Sequence, residues 1–252
     1  MHVISRALRT HCVVAVLALT ATLVTSVHAD DIDEITVTAT RIERPLSRLP
    51  FSADVVTRDN IASAQPLLGL DESLQQVPGL QMQNRFNFAQ DLRISMRGFG
   101  ARAAFGIRGI RIIVDGIPET LPDGQSGVDG IDLGSAQRIE VLRGGASAIY
   151  GNAGGGVILV DSRTGSDVFT SEVALAAGAD GYQRVEANAA GPVGDWRYFA
   201  ALSNLTIDGF RDHSEAENRQ ATLRLSYGAG EANDWLLSLH HTDQPIANDP
   251  GG

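Results

Sequence analysis

The chain has 252 residues, a net charge of −10, 27 glycines, one cysteine (Cys12) and no lysine, so all 20 basic residues are arginine. A nucleic-acid-binding surface needs a basic excess, and the acidic balance argues against nucleic acid as a partner. A single cysteine excludes a disulfide scaffold, and many glycines between short alternating segments point to a β-rich protein.

Residues 1–29 read as a secretory signal peptide. Arg6 and Arg9 precede the apolar run Val13–Val24, which is too short for a bilayer; a spanning helix takes about 20 residues. Val27-His28-Ala29 has the small-residue pattern of a cleavage site, so the exported chain would carry no cysteine. Residues 30–50 read as a tether. Within it, Ile35-Thr-Val-Thr-Ala-Thr40 has strong strand propensity but no partner strand visible nearby. Such a segment is available for addition to another protein's sheet edge. A disordered leader, or an edge strand of the following domain, fits the same residues.

Residues 51–163 read as a compact α+β unit. Strands are expected over Phe51–Val56, Leu80–Gln83, Leu92–Arg97, Ile110–Val114, Gln137–Leu142 and Val157–Val160. Thr57 can cap a short helix ended by Pro66, a second helix spans Leu70–Val77, and Ala146–Tyr150 makes one helical turn. Asp115-Gly116 is a turn signal, and Glu119–Ile131 lacks periodicity and reads as a long loop.

A glycine- and arginine-rich loop, Gly98–Gly109, joins two of these strands and carries Arg102 and Arg108, with Arg97 and Arg111 at its edges. Guanidinium forks suit carboxylate or phosphate groups, so the arginines either meet an anionic ligand or pair with neighbouring acids. Gly98-Phe-Gly100-Ala-Arg-Ala103 imitates a dinucleotide fingerprint. The helix that should follow has only Ala104–Gly109 to use, and each of its two glycines costs a helix about 1 kcal/mol. No Ser-His-Asp set or metal-ligand spacing stands out, so neither enzyme chemistry nor a cofactor is expected.

Residues 164–252 read as about five antiparallel membrane β-strands. Ala221, Leu223, Leu225 and Tyr227 alternate with Gln220, Thr222, Arg224 and Ser226, and Val185, Ala187 and Ala189 with Arg184, Glu186 and Asn188. Segments of about ten residues, apolar on one face and polar on the other, fit the wall of an outer-membrane barrel. Trp196, Tyr198, Tyr227 and Trp235 lie near segment ends, as an interfacial girdle would. Gly191–Asp195 and Gly228–Asn233 are short turns, expected on the periplasmic side, whereas Asp208–Glu217 is a longer, charged external loop. His240 and His241 are adjacent on a strand and point to opposite faces, which argues against a shared metal.

Several of these pieces together resemble the N-terminal part of a TonB-dependent outer-membrane receptor. They are Glu34–Ala39, Asp71-Glu-Ser-Leu-Gln-Gln-Val-Pro-Gly79, Ile94-Ser-Met-Arg-Gly-Phe99, Val114-Asp-Gly-Ile-Pro118, Ile139-Glu-Val-Leu-Arg-Gly144, Ala146–Gly151 and Gly155-Gly-Val-Ile158, in the family's order. Leu159–Arg163 departs from the family's usual continuation.

The resemblance implies an α+β plug domain over 51–163, followed by the first strands, here an incomplete set, of a transmembrane β-barrel. It implies a TonB box at Glu34, Ile35, Thr36, Val37, Thr38 and Ala39, which would pair with periplasmic TonB. It also implies import of a small extracellular ligand such as a ferric siderophore or other metal chelate, across an outer membrane whose lipid surrounds the wall. Arg85, Phe86, Phe88, Arg102 and Phe105 are the candidate ligand contacts on the apical loops. A truncated receptor that binds ligand or TonB without transporting is the alternative.

Overall fold

The computed structural model describes residues 36–38, 44–49, 51–63, 65–83, 86–103, 106–144, 147–228 and 235–250. The expected signal peptide and, among the expected site residues, Glu34, Ile35, Ala39, Arg85 and Phe105 lie outside the described residues.

Two short strands come first, β1 (Thr36–Val37) and β2 (Arg44–Pro45). Next are β3 (Ser52–Thr57), helix α1 (Arg58–Ala62), helix α2 (Leu70–Leu74), β4 (Leu80–Gln83) and β5 (Arg93–Met96). After them come β6 (Ile107–Arg108), β7 (Ile110–Val114), β8 (Ile117–Pro118), β9 (Gln125–Ser126), β10 (Ala136–Arg143), helix α3 (Ser147–Tyr150) and β11 (Gly156–Ser162). One sheet runs β3-β10-β11-β7-β8, with β11 and β7 parallel and the other pairs antiparallel. Its central strands are apolar on both faces, as a doubly covered sheet requires. Ile112, Ile139, Val141 and Ile158 join Ile61 and Leu74 of the helices in the main core, while Ile113, Leu142 and Val157 form a smaller cluster on the opposite face.

Local details follow from residue chemistry. Asp115 (φ 51) and Gly116 (φ 82) form the tight turn between β7 and β8, where both central residues need positive φ. Thr57 stands at the start of α1 as expected, but its side chain makes no capping bond. The second helix is shorter than expected. It ends at Leu74 and continues to Val77 only as turns, because Pro78 and left-handed Gly79 follow. In the expected loop Glu119–Ile131, β9 pairs with β6, which itself occupies the end of the arginine loop. Gly98–Ala103 forms tight turns, and no helix follows among the described residues, so the dinucleotide fingerprint has no structural counterpart.

The remainder is a five-stranded antiparallel meander: β12 (Thr170–Ala177), β13 (Gln183–Val193), β14 (Trp196–Ile207), β15 (Ala216–Tyr227) and β16 (Trp235–Ala247). Its two faces follow the sequence alternation. Val173, Leu175, Val185, Leu202, Leu237 and Leu239 are exposed on one side, whereas Arg184, Glu186, Asn188, Thr222 and Arg224 are buried on the other. Trp196 lies opposite Tyr227, and Tyr227 opposite Trp235, so three aromatic residues form a row at one end of the sheet. Among the described residues no helix is long and apolar enough to cross a membrane, which says nothing about strands.

Candidate functional site

The polar face of the meander is covered by the α+β unit, and a ladder of contacts joins them. The first rung is the β7–β8 turn. Arg224 of β15 donates to the Asp115 carboxylate and to the Ser162 carbonyl, both at 2.7 Å. Ser162 adds its backbone N–H and its hydroxyl to the same carboxylate, each at 2.8 Å, and His240 Nε2 lies 3.4 Å away. Burial alone would raise the Asp115 pKa, but the bonds from His240 and Ser162 and the Arg224 charge hold it below the usual carboxylate range.

Further along, Thr222 donates to Asp132 at 3.0 Å and Thr242 to the Gly130 carbonyl at 3.3 Å. Gly134 sits beneath the buried Arg184–Glu186 pair, whose atoms occupy the space a side chain there would need. Arg163 lies over the Phe199 ring, 4.9 Å from its centroid. At the far end of the meander, Tyr182 donates to the Pro66 carbonyl at 2.5 Å. Phe88 and Leu68 pack against Tyr182, Leu205, Ile207 and Ala216 there. Asn87 and Gln90 donate to Asp249 at 2.8 and 3.1 Å.

Of the expected ligand contacts, the structure describes three. Phe86 is half exposed and meets Phe210 edge-to-face, at 5.7 Å between centroids. Phe88, by contrast, is packed into the junction just described, and an apolar ring there is held by burial. Arg102 is exposed in the Gly98–Ala103 turn. The described contacts do not join it to Phe86 or Phe88.

The segment that lacked a visible partner in the sequence has one. Thr36 pairs with Pro45 and Val37 with Arg44, and Val37 is fully buried. The Thr38 N–H donates to both oxygens of Glu140, at 2.9 and 3.0 Å, and the Thr38 hydroxyl donates to one of them at 2.9 Å. Arg138 donates to the Thr36 carbonyl at 2.9 Å and is ion-paired with Glu140. Residues 36–38 are therefore seated on the α+β unit rather than free. The partner was not visible in the sequence because Arg44-Pro45 has no strand pattern and Glu140 is remote.

Residues 45–157 match the family model described as the TonB-dependent receptor plug domain. Over 217 residues, 84% of this chain and 34% of the relative, the chain is 30% identical to the vitamin B12 transporter BtuB of Vibrio vulnificus. It is 28% identical to the BtuB of Photobacterium profundum over 82% of this chain and 34% of that one. The chain thus spans about a third of the length of these relatives.

Its fold matches the pyoverdine outer membrane receptor FpvA of Pseudomonas aeruginosa PAO1 with a TM-score of 0.69 and 24% identity, over 83% of this chain and 30% of that one. The named relatives are transporters and receptors rather than enzymes. Residues 45–157 thus belong to the plug-domain family of TonB-dependent receptors, and with barrel-type strands against that plug the chain is similar to the N-terminal third of such a receptor.

Proposed function

We propose that the chain serves ligand-gated import across an outer membrane, energised by periplasmic TonB. The observation that carries this reading is the polar docking of the plug on the inner face of an inside-out sheet, through Asp115–Arg224 and Asp132–Thr222. A sheet apolar outside and polar inside suits lipid on one side and a filled lumen on the other. In this reading the aromatic row Trp196–Tyr227–Trp235 and the short turns lie toward the periplasm. The Asp208–Glu215 loop, Phe86 and Asp249 lie outside.

The ligand is a metal chelate, in keeping with relatives named for vitamin B12 and pyoverdine. Phe86 and Phe210, with Arg211 stacked on Phe210, supply aromatic faces and a cation at the outer end, and Arg85, Arg102 and Phe105 are the further contacts. Glu34–Ala39 is the segment that TonB takes up by strand addition.

The test is uptake set against surface binding, in a full-length receptor that carries this chain and in a host lacking its own. Proline at Val37 removes a backbone donor and fixes φ. Val37→Pro should therefore abolish uptake while the cell surface still binds ligand, and Val37→Ala should do far less. Equal losses would point to side-chain recognition, and no loss from either would remove the segment from transport.

A further inference from the structure

His240 of β16 stands directly opposite Thr222 of β15, on the face of the wall that the plug covers. Its two ring nitrogens reach two different plug carboxylates, one directly and one through a hydroxyl. Nε2 lies 3.4 Å from the Asp115 carboxylate. Nδ1 lies 3.1 Å from the Thr222 hydroxyl, which donates to Asp132 at 3.0 Å. These side chains form one chain, Asp115–His240–Thr222–Asp132, that leaves the plug, crosses two wall strands and returns to the plug.

The protons along that chain fix the charge of the ring. An ionised carboxylate only accepts, and a hydroxyl has one proton to give. Asp115 accepts from Arg224 and twice from Ser162, and Asp132 accepts from the Gly134 N–H at 3.0 Å, so both act as ionised acids. Thr222 gives its proton to Asp132 and can only accept from His240, so Nδ1 carries a hydrogen. Nε2 faces an acceptor and carries one too. A neutral imidazole has a single N–H and satisfies one of these contacts, whereas the imidazolium satisfies both. The surrounding charges suit a cation. Asp115 faces the ring from the β7–β8 turn, and Asp132 lies beyond Thr222 in the loop before β10. Asp161 of β11 adds a carboxyl on which Asp115 and Arg224 both act. Arg224 of β15 opposes the ring's charge, but it is itself paired with Asp115.

We infer that His240 is a proton-operated strut: as a cation it ties the wall to two separate parts of the plug, and on losing a proton it releases one of them. The inference goes beyond the transport reading and depends on neither TonB nor a ligand. Imidazole changes charge between about pH 5 and pH 8. Docking that needs the extra proton is full below that range and weakens as pH rises through it. The sign is opposite to that of Asp115, whose contribution fails in acid. The two together make docking tightest in mildly acidic solution.

The experiment uses a full-length receptor that carries this chain, reconstituted in lipid vesicles, and titrates plug release with urea at pH 5 and pH 8. It is done in an Asp129→Asn background, because the Asp129 carboxyl is pushed up to about 7 and would titrate in the same range. Loss of one charge-assisted hydrogen bond corresponds to about tenfold in an equilibrium. The docking constant should therefore fall about tenfold from pH 5 to pH 8. His240→Gln keeps an amide of similar reach but cannot titrate, and should abolish that fall. His241→Gln, on the opposite face of the strand, should preserve it. No fall with the native ring, or an intact fall in His240→Gln, overturns the strut. Thr222→Val keeps the shape of the side chain and removes one of the two contacts, so it should shrink the fall. It decides the matter where His240→Gln does not assemble, since an intact fall there overturns the strut equally.

Discussion

The plug and the wall are both β-sheets, yet they solve opposite problems. The plug sheet mixes parallel and antiparallel pairs, brings together strands distant in sequence, and buries Ile112, Ile139 and Ile158 between its covering elements. The wall pairs each strand with its sequence neighbour, exposes Leu202, Leu237 and Leu239, and buries Arg184, Glu186 and Arg224 against the plug. One chain thus carries a protein with an apolar inside and a protein with a polar inside. The charged residues that would be liabilities in the first are the docking surface of the second.

The comparison breaks most severely where the two meet. Replacing Arg224 by Met should cost about 3–5 kcal/mol, because it leaves the Asp115 carboxylate buried beside the wall without its cation. Urea titration of plug release in lipid would measure this. Adding Asp115→Asn to Arg224→Met should recover part of the loss.

The pH dependence follows from the sign of the Asp115 shift. Its pKa is depressed in the fold, so the stability it contributes is present above the ordinary carboxylate range and is lost as pH falls through the lowered value. Acid should release the wild-type plug, and Arg224→Met should move that release to higher pH.

A second substitution pair sharpens the contrast between the two sheets. Ile112→Ala opens a cavity in the plug core and should cost about 2–5 kcal/mol. Leu239→Ala, on the exposed face of the wall, should leave the plug's unfolding midpoint where it was.

The smallest effect concerns the plug loop at Asp129. Partial burial of its carboxyl, a hydrogen bond with Asp91 and the Asp91 charge push it up to about 7. A raised folded pKa means that its stabilising contribution is full below the ordinary carboxylate range and is lost as pH rises through about 7. Asp129→Asn should therefore melt less differently between pH 5 and pH 8 than wild type, as thermal scans would show.

Much of both sheets was legible because alternation is a local property. The faces of β13 and β15 could be read from Arg184–Glu186–Asn188 and Thr222–Arg224, and the β7–β8 turn from Asp115-Gly116. What escaped was pairing over distance. Nothing near Thr38 announces Glu140, and nothing near Arg224 announces Asp115, because a hydrogen bond across the fold leaves no periodic trace. Phe88 had looked like an apical contact by its place in a loop, but its ring is used to pack the plug on the wall. His240, read only as half of an adjacent pair, belongs to the Asp115 cluster and also meets the Thr222 hydroxyl at 3.1 Å.

The aromatic row at one end of the wall also determines what an optical probe can see. The chain has two tryptophans, Trp196 and Trp235, and Tyr227 links them across β14, β15 and β16. The plug has none. Intrinsic tryptophan emission is therefore a depth gauge for a single rim of the wall. Quenchers attached at different acyl positions would read how deep that rim sits in a bilayer, while a plug that unfolds without disturbing the rim would pass unseen.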